Sequence, residues 1–160
     1  MKKILLFAYK SNAELYWNSR ASDLSALHEK YPSAYLDVVS GYLQLLGPRS
    51  LLEIGCGNMR LYPVYKDIPT VVGIDISQKF LALSKRYPNL TLIVARGEYL
   101  PFRETIFDIV VCCKVLAHIP DCSITSVVHN IMKASGKYVL VIESALFDED
   151  EKTGRYMFKH

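Results

Sequence analysis

Leu51-Leu52-Glu53-Ile54-Gly55-Cys56-Gly57-Asn58 decides the reading of this chain. A short apolar run breaks into Gly-x-Gly, the pattern of a strand that ends in a sharp turn. Glycine there lets the backbone reverse and lets a ligand approach with no Cβ in the way. A helix is expected to follow. The dinucleotide fingerprint G-x-G-x-x-G needs a third glycine, and Arg60 stands in its place. A pyrophosphate would be repelled by Glu53 beside the turn, whereas an acidic residue suits a ligand with a cationic amino-acid end. A nicotinamide-dependent oxidoreductase is thus the weaker alternative.

The second anchor is Asp75, in Val71-Val72-Gly73-Ile74-Asp75-Ile76-Ser77, 20 residues after Gly55. From the end of a second strand a carboxylate can accept hydrogen bonds from both ribose hydroxyls. The plainer role is a helix cap. Further apolar runs at 90–95, 107–113 and 137–142 are short and rich in β-branched residues. Runs apolar on both faces suit strands of a covered parallel sheet. Helical spacing fills the gaps. Ser77 caps a helix over 78–85, stopped by Pro88; residues 123–132 carry Ile124, Val127, Val128 and Ile131 on one face; residues 33–46 end at Gly47-Pro48. Strand and helix alternate, which predicts an α/β fold: a Rossmann-like parallel sheet with helices on both faces.

With 160 residues, a single domain is expected, and 51% hydrophobic against 22% charged residues rules out disorder as the main state. It divides into an N-terminal helical or lid segment (1–48), a ligand-binding core (49–143) and a tail (144–160). The net charge of +3 comes without a dense Lys/Arg block, so nucleic acid is permitted but not argued for. Cys56, Cys112, Cys113 and Cys122 form no C-x-x-C pair, and no metal site is expected. The run Ile4–Tyr9 is too short for a signal peptide, and nothing reaches the ~20 apolar residues of a membrane span. A reduced, cytoplasmic protein is expected. The charge run Asp148–Glu151 reads as a solvated loop.

Residues Leu51–Asn58 resemble the first motif of class I S-adenosylmethionine-dependent methyltransferases, and Val72–Ser77 the second. Glu98-Tyr99-Leu100-Pro101-Phe102, Phe107–Val111 with Val115–Ile119, and Gly136–Val141 resemble the later stations of that family in order and spacing, across roughly residues 50–143. The likeness is to the broad group that includes many small-molecule methyltransferases. It implies S-adenosylmethionine as cofactor, with Glu53 meeting the methionine amino group, Gly55, Cys56 and Gly57 passing under the cofactor, Asp75 holding the ribose, Ile76 packing on adenine, and Cys112 lining the methionine side. Arg96 and Gly97 stand where an acidic adenine contact is usual. Either Glu98 takes that part, or backbone and stacking alone hold the base.

The family sheet has seven strands, and five are readable here. The last two form an antiparallel hairpin in the family, and the tail has little room for them. The fold is therefore expected to be a truncated one, with the fifth strand as an edge. Ile4–Tyr9, the tail, or the same edge of a second copy in a homodimer could cover it; otherwise it stays open.

Methyl transfer from a sulfonium is an in-line displacement in which the protein supplies orientation and a dry pocket. His118 is a candidate base for an oxygen nucleophile, though packing is its more ordinary role. Tyr9, Tyr16 and Trp17 could form an aromatic lid. The stretch after the fourth strand lacks the Pro-Pro-aromatic segment of base-amino methyltransferases and the Pro-Cys of cytosine enzymes. A small-molecule acceptor is expected, with protein or RNA acceptors open. The rival reading is a non-catalytic binding protein that keeps the fold.

Overall fold

The five apolar runs become five parallel strands in the computed structural model, which describes residues 13–30, 35–143, 147–150 and 155–158. Helices α1 (Ala13–Lys30) and α2 (Leu36–Leu46) come first. Then follow β1 (Ser50–Ile54), β2 (Thr70–Asp75), α3 (Gln78–Ala82), β3 (Leu90–Val94), β4 (Phe107–Cys113), α4 (Asp121–Ala134) and β5 (Ser135–Ile142). The sheet order is β3-β2-β1-β4-β5. Glu53 of β1 sits level with Gly73 of β2 on one side and Val111 of β4 on the other.

Alternation along the strands sends side chains to two cores. Leu51, Val71, Ile109, Val111 and Cys113 pack with Val39 and Leu43 of α2. Leu52, Ile54, Val72, Val110 and Cys112 pack with Val127 and Ile131 of α4. Leu51, Leu52, Val110 and Val111 are fully buried, each contributing roughly 1.5–3 kcal/mol. This is the expected layering, with helices on both faces.

The helix expected after Gly57 is absent. Residues 55–69 run as turns around one 3-10 turn, Tyr62–Val64. Met59 adopts φ 60°, which no α-helix accommodates, and Pro63 brings no N–H. The turns close through i to i+3 bonds, such as Met59 N–H to Cys56 O at 2.9 Å and Tyr65 N–H to Tyr62 O at 2.8 Å. Asn89 clamps the segment from β3's side. Its amide donates to Ile68 O at 2.7 Å, and its carbonyl accepts from the Tyr62 hydroxyl, whose ring stacks on Tyr87.

Helix α3 is also shorter than expected, ending at Ala82. Ser77 caps its start by accepting from Phe80 N–H. The Ser84 hydroxyl turns back to the Phe80 carbonyl, a local bond that competes with helix continuation. Helix α4 runs longer than the expected 123–132.

The tail holds two strands after all. β6 (Phe147–Asp150) and β7 (Arg155–Phe158) pair antiparallel with each other, from Phe147 opposite Phe158 to Asp150 opposite Arg155. Four residues a side suffice for such a ribbon, which stands apart from the five-stranded sheet order. Asp148–Asp150 are thus strand rather than loop; Glu151 lies outside the described residues, as do Ile4–Tyr9. Among the described residues β5 is the outermost strand of the sheet, paired with β4. No helix among the described residues is long and apolar enough to cross a membrane.

Candidate active site

Chain order reverses at β1: the next strand is laid to one side, and β4 to the other. In open parallel sheets a crevice opens at such a point, beyond the carboxyl ends of the strands. Here it is a cavity of about 530 Å³, floored by the ends of β1, β2 and β4 and covered by α1. Helix α1 is tied to α3 by Asn18, whose Oδ1 accepts from the Ser77 hydroxyl at 2.7 Å and from Lys79 N–H at 3.2 Å.

The glycine turn forms the cavity wall. Gly55 has φ 65°, and a Cβ there would lie 2.4 Å from Val115 Cγ2. Two chain segments therefore meet at a distance that a side chain forbids. Asp75 fastens this turn while lining the cavity. Its Oδ2 accepts from Gly57 N–H and its Oδ1 from Ser77 N–H, both at 2.8 Å. Burial raises its pKa, against the pull of these N–H groups. Each oxygen keeps a lone pair for a ligand.

Glu53 lines the same cavity from the floor. Its Oε2 and the neighbouring Tyr65 hydroxyl are buried without a hydrogen bond of proper geometry. Burial pushes the Glu53 carboxyl from its ordinary 4.5 up to about 8. Arg60 and Tyr65 pull it back only in part, and the charge of Asp75 adds to the rise. A buried carboxyl with one oxygen lacking a hydrogen bond, at the floor of a cavity, is a costly feature that a cationic ligand would offset. Met59, next to the glycine turn, is outside the cavity lining: it is buried in the core beneath β2, its sulfur 2.7 Å from where a Gly73 Cβ would stand.

Gly55, Cys56, Gly57, Ile76 and Glu98 also line the cavity. Cys56 is held as a neutral thiol by burial, which raises its pKa well above the usual. Glu98 is paired with Arg96 at 3.4 Å, and the Gly97 and Glu98 carbonyls are braced by the Asn130 amide, at 3.1 and 2.7 Å. Cys112 is a correction. Strand alternation sends it into the α4 core, where burial drives its thiol up to about 12; Cys113 faces the cavity instead. His118 lines the cavity with its ring edge-on to Trp17 at 5.0 Å. Desolvation lowers its pKa, with Lys114 adding to the fall and Glu143 opposing it. It is therefore a neutral imidazole at pH 7, able to accept a proton.

Sequence reasoning passed over several residues. Arg60 read only as a missing glycine, yet it lines the cavity, with Nη2 3.8 Å from Cys113 Sγ. Glu143 looked like the end of a strand. Its Oε1 accepts from Val115 N–H at 2.8 Å and Leu116 N–H at 2.7 Å, and so shapes the loop that carries His118. A lone carboxylate after an apolar strand was the only signal.

A parallel sheet opened at β1, a glycine turn and two carboxyl groups lining one crevice belong to a class I methyltransferase fold. The chain belongs to the family described as Methyltransferase domain, which matches residues 52–140. It is 30% identical over 115 residues to a ubiquinone biosynthesis O-methyltransferase of Azoarcus sp. strain BH72, covering 66% of this chain and 47% of that protein. An uncharacterised protein of Methanocaldococcus jannaschii is 34% identical over 93 residues, 58% of this chain and 40% of that one. The chain thus spans about half the length of the curated relatives it matches. Among solved structures, magnesium protoporphyrin IX methyltransferase from Synechocystis PCC 6803 with bound SAM superposes with a TM-score of 0.66 at 19% identity, over 81% of this chain and 73% of that one.

Proposed function

We propose that this chain is an S-adenosylmethionine-dependent methyltransferase acting on a small molecule. The observation that carries the reading is the pair Glu53 and Asp75 lining one cavity, with Oε2 of Glu53 lacking a hydrogen bond. Glu53 would meet the methionine ammonium, and Arg60 beside it the carboxylate. Asp75 would take the ribose hydroxyls. Ile76 would pack on adenine, with Glu98 and the braced loop at 96–98 around its edge. Gly55, Cys56 and Gly57 offer a wall without bulk, and Cys113 lines the methionine side. When bound, the cofactor supplies an electrophilic methyl group on sulfur. The protein's part is alignment of the acceptor opposite that group and exclusion of water by α1. His118 would take a proton from an acceptor hydroxyl, and its depressed pKa keeps it free to do so.

A cavity of about 530 Å³ under an aromatic helix favours a small molecule over a protein segment or RNA strand, which need an open surface. Calorimetric titration with S-adenosylhomocysteine tests the reading. Binding is expected, weakened about tenfold or more by Glu53→Gln or Asp75→Asn. No binding at millimolar cofactor, or binding indifferent to both substitutions, would leave a non-catalytic protein on the methyltransferase fold.

A further inference from the structure

The residues assigned to the cofactor line the glycine-turn side of the cavity, and the α1 side is built differently. Helix α1 turns Ala13, Tyr16, Trp17, Arg20 and Leu24 toward the space, a spacing of three and four that makes one stripe. Facing them are Tyr35, Lys114 and His118. Trp17 meets His118 edge to face at 5.0 Å, and Tyr16 meets Trp17 in the same way at 5.0 Å. Rings set like this make walls for a flat body.

Charge separates the two sides further. The carboxylates lining the cavity are Glu53, Asp75 and Glu98, all on the cofactor side. Glu98 pairs with Arg96, and Arg60 stands beside Glu53. Arg20 and Lys114 have no carboxylate within ion-pair distance among the described residues. Glu143, outside the lining, is engaged through Oε1 by two backbone N–H groups; its Oε2 is buried without a hydrogen bond, and its charge acts on His118 against that of Lys114, so the cationic side is the one formed by Lys114 and Arg20. Lys114 is placed with care. Its backbone holds φ 61°, rare for a residue with a side chain; its N–H donates to Ile142 O at 2.7 Å; and its Nζ lies 4.9 Å from the Tyr35 ring centre. Two cations with no ion-pair partner among the described residues, next to a sulfonium, would repel a positively charged acceptor and attract a negative one.

We infer that the acceptor is a flat aromatic molecule bearing a carboxylate, its ring against Trp17 and His118 and its carboxylate met by Lys114 and Arg20. The inference rests on the methyltransferase reading. Trp17 is the single tryptophan of the chain, so its fluorescence reports this side of the cavity alone. The protein, first saturated with S-adenosylhomocysteine in a separate calorimetric step, is titrated with benzoate, benzyl alcohol and benzylamine. Benzoate is expected to bind about fivefold or more tighter than benzyl alcohol, with benzylamine weakest. Arg20→Gln and Lys114→Gln should each cut the benzoate preference to about twofold or less, while the calorimetric step checks that each variant is folded. Equal binding of the three probes, preference for benzylamine, or no binding of any overturns the inference. If S-adenosylhomocysteine binding persists in those cases, the cofactor reading stands; if it is absent, both fall.

Discussion

Glu53 is held in a protonation state that the unfolded chain does not share. Its carboxyl releases a proton near 4.5 when unfolded but retains it until about 8 in the fold, because burial opposes the charge. Between those values unfolding releases a proton, so rising pH favours the unfolded state. Stability of the ligand-free protein, measured by urea melts in parallel with Glu53→Gln, should fall relative to the variant by up to roughly 1.4 kcal/mol per pH unit across that window. A difference flat with pH would contradict the burial. Glu53 and Asp75 were legible because a carboxylate beside Gly-x-Gly and another at the end of the next strand are position-bound chemistry. Arg60 was not, since its approach to the cavity depends on Met59 turning left-handed, which no pattern of apolar residues announces. Cys112 came from the family resemblance, and two adjacent cysteines leave no difference in side chain to show which of them faces the cavity.

At the scale of elements, the loop after β4 is shaped from another strand. Glu143, just past β5, offers one oxygen to the N–H groups of Val115 and Leu116. That loop presses Val115 against Gly55 and carries His118 to the cavity. Bonds to a carboxylate are worth about 1.5–3 kcal/mol. Glu143→Ala should cost roughly 2 kcal/mol in chemical denaturation, and Glu143→Gln, which keeps an acceptor oxygen, less than half of that. Equal losses would mean that charge, not the bonds, matters. The three central strands β1, β2 and β4 were well read from their runs, because burial on both faces leaves a continuous apolar signature; β3 and β5 were read from their β-branched residues. The crossover from β1 to β2 was misread because a strand ending in Gly-x-Gly ordinarily feeds a helix, and here the left-handed Met59 and Pro63 stand against one. The tail ribbon was missed because four-residue strands carry too little periodicity to stand out.

For the molecule as a whole, one difference from the expected design has a cost in robustness. Many nucleotide folds aim the start of a helix at the ligand's anionic group, spreading about half a positive charge over several N–H groups that no substitution removes. Residues 55–69 make turns here instead, and the cation on that side of the cavity is Arg60. On the proposed reading, recognition of the cofactor's carboxylate thus rests on one replaceable side chain, a single point of failure. Comparing S-adenosylhomocysteine with methylthioadenosine, which lacks the amino-acid end, isolates this contribution. The native chain should prefer the former by about tenfold or more, and Arg60→Met should erase most of that preference while leaving methylthioadenosine binding almost untouched. One missense change at this position would leave a well-folded protein that still holds adenosine and has lost its hold on the other half of the molecule.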